Sequence, residues 1–285
     1  MLPTTISQSN NLTLNEVIAR LQQHDAVDGV LLMGSTGQNA LSPASDYDLV
    51  VVLSSLPEPI ALLHTVIDQR LAEVYFFSTD MLDQIIDEHH SAQGGELPSA
   101  GDRVAFYTWL QTGRIAFDRN GRLARVQQYL QTTEWFTPAG DAQRYAIWFG
   151  HNYNLQHTKW IARSGDALYQ REVDFRLTFT ISFLFCDYFH LRGLPWQGSK
   201  AAMRWLEQHD SDYLALFHAF LDAPNRADKL AIYERLVKLT LAPVGQVLSN
   251  EQSAVNLAPG SVFEPEMIER GLAFWESLLT IASIS

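Results

Sequence analysis

Asp46 and Asp48 stand one residue apart at the head of an apolar run, Leu49-Val50-Val51-Val52-Leu53. Ten residues intervene between Asp46 and Gly34-Ser35, which ends an earlier apolar run, Val30-Leu31-Leu32-Met33. Side chains alternate faces along a strand, so the two aspartates point the same way. Neighbouring carboxylates repel each other unless a cation lies between them. A hard divalent ion, Mg²⁺, is the expected occupant, because it prefers oxygen ligands and shares them with substrate phosphates. Gly34-Ser35 falls where a strand gives way to a helix, and there backbone N–H groups and a small hydroxyl suit phosphate oxygens. The spacing points to phosphoryl chemistry on a nucleoside triphosphate.

A third acid, Glu73, sits in the otherwise apolar and β-prone run Leu71-Ala72-Glu73-Val74-Tyr75-Phe76-Phe77. Taken singly, an Asp-x-Asp is usually an ordinary strand-edge feature and a lone Glu is usually solvated. Taken in order, the three elements resemble the nucleotidyltransferase superfamily of DNA polymerase β. Its signature is an apolar residue, Gly, Ser, a short spacer and Asp-x-Asp, with a third carboxylate on a neighbouring strand. Met33, Gly34, Ser35, Asp46 and Asp48 fill every position of that signature, and Glu73 supplies the third acid.

The resemblance extends beyond the motif. Gly198-Ser199-Lys200-Ala201-Ala202-Met203-Arg204-Trp205-Leu206 is similar to the stretch of streptomycin/spectinomycin adenylyltransferases in which Ser-Lys leads into an Ala-Ala-x-x-Trp helix. Arg176-Leu177-Thr178-Phe179 resembles the apolar Leu-Thr-Leu helix of the same enzymes, and Leu71-x-Glu73-Val74 their third-carboxylate strand. The aromatic segment from Trp148 to Trp160 departs from their pattern.

What the resemblance implies is an enzyme of the nucleotidyl-transferring class that moves an NMP, AMP from ATP, onto a hydroxyl of a small-molecule acceptor. Aminoglycoside-like compounds lead the acceptor list, and antibiotic resistance would follow from that. Asp46 and Asp48 would hold Mg²⁺, and Glu73 would act as general base or shared metal ligand. Gly34 and Ser35 would hold phosphate oxygens, and Lys200 would reach the triphosphate. The alternative is a relative of the minimal nucleotidyltransferase antitoxins, which AMPylate a partner protein. Those are usually much shorter and lack a helical half, so length favours the first reading.

Positioning these groups requires a small sheet and its supporting helices. Leu14 to His24 carries apolar residues at a helical period, with Asn15 near its start. Strands are expected over Val27 to Met33, Asp48 to Leu53 and Glu73 to Phe77, with a short one at Arg114 to Phe117 before the turn Asp118-Arg119-Asn120-Gly121. Pro57 and Pro59 punctuate a loop, Ile60 to Arg70 reads as a helix, and Ser78-Thr79-Asp80 caps another that runs to about His89. Ser91 to Asp102 reads as a loop. Beyond residue 133 strand signals fade. Helix-length patterns cover Tyr145 to Arg163, Ala167 to Leu191, Lys200 to His209, Asp212 to Leu221, Lys229 to Leu241 and Pro265 to Ile281. The expected class is α+β: a nucleotidyltransferase α/β domain with a small mixed sheet over 1–133, then a helical bundle over 134–285.

The chain has 285 residues, 47% hydrophobic and 18% charged, as a folded globular protein of two domains should. Its net charge of −12, from 20 basic and 32 acidic residues, argues against nucleic acid as a partner, which draws on clustered Lys and Arg. One cysteine, Cys186, excludes an internal disulfide and fits a reducing compartment. Met1 to Asn11 has neither a basic nor an apolar signal region, and the apolar stretch Phe175 to Leu191 is interrupted by Arg176, Asp187 and His190. The expectation is a cytoplasmic protein that does not engage a membrane; oligomeric state is not legible. His89-His90 and His151/His157 lack the i, i+4 spacing of paired metal ligands and read as surface or packing residues. Trp148, Tyr153, Trp160, Trp196 and Trp205 read mainly as core rings, with room for one or two in a substrate cleft. Glu172 and Asp174 read as an exposed helix start able to meet a cationic substrate.

Overall fold

A computed structural model describes residues 12–56, 60–88, 100–249, 252–257 and 263–279. The Met1 to Asn11 segment, Pro57, Pro59, His89-His90 and most of the Ser91 to Asp102 loop lie outside these residues. The chain divides into two compact units, Met1–Phe136 and Thr137–Ser285.

The first unit is α/β. In chain order it contains α1 (Leu14–Gln23), β1 (Val27–Leu32), α2 (Gly34–Gly37), β2 (Tyr47–Leu53), β3 (Leu62–Ile67), β4 (Arg70–Ser78), α3 (Thr79–Glu88), α4 (Ala100–Thr112), β5 (Arg114–Asp118) and α5 (Arg122–Thr132). The strands form one mixed sheet in the order β3-β4-β2-β1-β5, in which only the β2–β4 pair is parallel. Helix α1 begins with a capping box in which Thr13 and Glu16 satisfy each other's backbone N–H groups. Its apolar face, with Leu14, Val17, Ile18 and Leu21, packs on the sheet face formed by Val30, Leu32, Leu49, Val51 and Val74. The opposite face presents Leu31, Met33, Val50, Val52 and Phe77 to Leu82 and Ile85 of α3, Phe106 and Leu110 of α4, and Leu123, Val126 and Leu130 of α5. Covered on both sides, β1 is buried along its whole length.

The segment from Ile60 to Arg70 is a correction to the helical reading. It forms the edge strand β3, joined to β4 by the two-residue turn Asp68-Gln69, in which both residues have positive φ (51° and 60°). That is the geometry of a type I′ hairpin, whose twist matches the flanking strands. A second correction is smaller: α4 begins at Ala100, inside the stretch read as loop.

The second unit is helical: α6 (Asp141–Ile161), α7 (Ala167–Leu191), α8 (Ser199–His209), α9 (Ser211–Asp222), α10 (Arg226–Leu241) and α11 (Glu266–Leu279). Side chains of Asp166, Asp210 and Asn225 cap α7, α9 and α10 at their N-termini. Helix α7 packs against α6 and α10. The core joins Leu155, Leu177, Leu184, Phe185, Tyr213 and Tyr233 with Trp148, Trp196 and Trp205 against it. Glu172 and Asp174 are engaged within the unit, Glu172 with Arg176 and Asp174 with Arg226 and Arg171. No described helix is long and apolar enough to cross a membrane.

Candidate active site

The mixed sheet brings the three acids to one corner. Parallel pairing of β2 with β4 sets Asp48 directly beside Glu73, and antiparallel pairing of β4 with β3 sets His64 on the other side of Glu73. Paired residues share a face of the sheet, so His64, Glu73 and Asp48 form one row across three strands. Asp46 lies just before β2 with the same parity. This row is the end of the face that α3, α4 and α5 cover. One step further in, Tyr75 packs on Trp109 at 5.2 Å and Phe77 stacks on Phe106 at 4.1 Å. The carboxylates lie just outside that cover, and all three are half-buried.

Tyr75 reports on their closeness. Its hydroxyl donates to Glu73 Oε2 at 3.1 Å. Burial pushes the phenol up to about 12, assisted by the charge and hydrogen bond of Glu73 and by the charges of Asp48 and Asp46. Glu73 Oε1 also lies 3.5 Å from Nδ1 of the exposed His64.

The turn after β1 is built around Asp48. Met33 follows the strand, and its N–H donates to the Asp48 carbonyl at 2.9 Å. Gly34 then adopts φ +49°, and a Cβ there would stand 3.0 Å from Asp48 Oδ2. The positive φ favours glycine there, and a side chain would also crowd the Asp48 carboxylate. The hydrogen bonds of α2 begin at Gly37, whose N–H donates to Met33 O at 2.8 Å. The amides of Gly34 and Ser35 therefore fall outside the turn's own bonding. Buried Thr36 stitches the turn to the aspartates. The Asp48 N–H donates to Thr36 Oγ1 at 3.1 Å, and the Thr36 hydroxyl donates to the Asp46 carbonyl at 3.3 Å. The loop leading into Asp46 is held by Arg70, whose guanidinium donates to the carbonyls of Ser42 and Ser45 and lies over the Tyr47 ring at 5.4 Å.

Gly34, Ser35, Asp46, Asp48 and Glu73 thus meet within the first unit. Lys200 belongs to the second unit, where it is exposed at the second position of α8. Sequence reasoning missed His64, Tyr75, Thr36 and Arg70. The first two become visible only through strand register. Thr36 carries a signal of its own, a polar residue inside the turn that separates the glycine from the aspartates. As the side chains stand, no group of three or more His, Cys, Asp or Glu among the described residues encloses a metal site. A Mg²⁺ ion shared with phosphates does not need such an enclosure: two carboxylates on one face supply the protein's part, and substrate and water the rest.

No family model matches the chain. No curated protein matches it either. Among solved structures it is similar to the nucleotidyltransferase-like protein from Exiguobacterium sibiricum 255-15, at 11% identity and a TM-score of 0.38 over 80% of this chain and 73% of that one. At that level of similarity, what the corner does must be argued from its own geometry.

Proposed function

We propose that the first unit transfers a nucleoside monophosphate, AMP from ATP, onto a hydroxyl of a small-molecule acceptor. The observation that carries this reading is the in-register pair of Asp48 and Glu73 beside the Gly34 turn, with Asp46 next to them. Asp46 and Asp48 would hold Mg²⁺ with the triphosphate; the ion, when bound, neutralises charge on the phosphates and the departing pyrophosphate. Gly34 and Ser35 orient the phosphate chain through their amides and the Ser35 hydroxyl. The acceptor oxygen attacks the α-phosphorus, the bond to pyrophosphate breaks, and the hydroxyl proton passes to Glu73. His64 and Tyr75, which touch the two Glu73 oxygens, fix that carboxylate in place. Lys200 as a phosphate contact rests on the resemblance to streptomycin/spectinomycin adenylyltransferases.

The test uses ATP labelled at the α- or the γ-phosphate, incubated with Mg²⁺ and, in separate arms, aminoglycosides, lincosamides and candidate proteins. Label from the α-position on a small molecule, with none from the γ-position, supports the reading. Label appearing only on a protein supports the AMPylation alternative. Transfer from the γ-position would make the site a kinase and overturn both.

A further inference from the structure

A cavity of about 510 Å³ opens in the helical unit between α6 and Leu248, Ser249, Gln252 and Ala254, within the range of small-molecule sites. Its walls are tied together by side-chain amides. Asn152 Oδ1 accepts from the Leu248 N–H at 2.7 Å, and Gln156 Nε2 donates to the Leu248 carbonyl. Both bonds hold Leu248 of the wall on the helix.

Aromatic rings dominate the α6 side. Phe149 and Tyr153 stack with their planes 7° apart, and Tyr153 lies 5.5 Å from the His157 ring. Trp160 is 69% exposed, although burying an indole is strongly favourable. Large rings left exposed around a concavity mark a ligand surface rather than a packing face. The charge of the lining is opposite to that of the chain. Among the described residues it includes His157, Lys159 and Arg163 and no acid, in a protein of net charge −12. Lys159 is satisfied by Glu234 at 3.1 Å. The Arg163 guanidinium lies 5.2 Å from the centre of the Trp160 ring, with no carboxylate paired to it among the described residues. The His157 Nδ1 is buried without a hydrogen-bond partner among them.

We infer that this cavity binds a planar aromatic carboxylate. Its ring stacks on Trp160 and Tyr153, and its carboxylate pairs with Arg163. One available guanidinium matches one carboxylate through two parallel hydrogen bonds. The inference is independent of the reaction proposed for the first unit.

Calorimetric titration of the full chain with indole-3-acetate, its uncharged analogue indole-3-ethanol, and AMP tests it. The acid should bind, and the alcohol should bind roughly tenfold more weakly or worse. Arg163→Gln should erase that difference, and Trp160→Ala should weaken both ligands, with thermal melts unchanged because both side chains are exposed. Three results overturn the proposal: no binding of the acid at millimolar concentration, equal binding of acid and alcohol to the unmodified protein, or AMP binding that is lost in Trp160→Ala while the acid does not bind.

Discussion

Each unit gathers acids out of bulk water, and the two surround them in different ways. In the helical unit, Asp187 of α7 lies between His151 of α6, whose Nε2 is 2.8 Å from Oδ2, and His190, whose Nδ1 is 3.0 Å from Oδ1. Burial opposes the charge on Asp187, but the hydrogen bonds from His151 and His190 outweigh it and hold the carboxyl below its ordinary range. Hydrogen bonds to Asp187 and then to Cys186 push His190 up to about 10. In this network two imidazoles of the helical unit itself meet the carboxylate. At the sheet corner, Asp46, Asp48 and Glu73 are brought together instead, and the groups on Glu73 are a phenol and an exposed imidazole at 3.5 Å. The proposed Mg²⁺ and the phosphates it carries would sit at this concentration of like charge. The contrast is between an acid tied to two imidazoles of a helical core and three acids gathered at the end of one sheet face.

Substitutions should sort along the same line. Asp48→Asn should reduce nucleotide transfer by on the order of 10²–10³-fold, several kcal/mol of lost charge stabilisation, while the melting temperature stays within a few degrees. A fully active variant, or one that fails to fold, would put Asp48 in the same class as Asp187. Glu73→Gln should lower kcat by roughly 10²-fold and leave ATP affinity within a few-fold, as expected for a general base. Weak binding with normal turnover would make Glu73 a ground-state ligand. Thr36→Val removes both bonds that join the turn to the aspartates and leaves the Asp48 N–H without that acceptor. It should cost about 1–2 kcal/mol in a denaturant titration, together with a roughly tenfold loss of transfer. An unaltered rate would mean that the turn keeps its shape without the threonine.

The smallest effect distinguishes the Asp187 network by pH. The pKa of His190 is higher in the folded chain than the ordinary 6.5, so its contribution is complete below about pH 6.5 and is lost as pH rises through about 10. Asp187, lowered on folding, contributes above its ordinary 3.8 and loses that contribution only as pH falls below it. The melting temperature of the helical unit should therefore decline between pH 6.5 and 10, and His190→Gln should flatten that decline. An unchanged slope in the variant would remove His190 from the account.

Much of this architecture follows from local pattern. The turn after Met33, the two aspartates and the helix from Ala167 to Leu191 can be read from periodicity and punctuation because each is set by neighbours in sequence. The β3–β4 hairpin is different. Leu62, Leu63, Val66 and Ile67 fall at helical spacing, and an edge strand exposed on both faces shows no alternation. The I′ turn is made by Asp68-Gln69 rather than by the Asn-Gly or Asp-Gly pairs that signal it, so the reversal leaves no glycine in the sequence. His64 was lost with that strand. The side-by-side placement of Asp48 and Glu73 is a matter of register between parallel strands, which no local pattern encodes.

The central claim is that Asp46 and Asp48 join a nucleotide through Mg²⁺, and it can be tested without knowing the acceptor. ATP should be titrated calorimetrically into the unmodified protein and into Asp48→Asn, each with and without Mg²⁺. Mg²⁺ should tighten ATP binding to the unmodified protein by roughly tenfold or more, and Asp48→Asn should abolish that gain. Equal gains in the two proteins, or no effect of Mg²⁺ on either, would contradict the account.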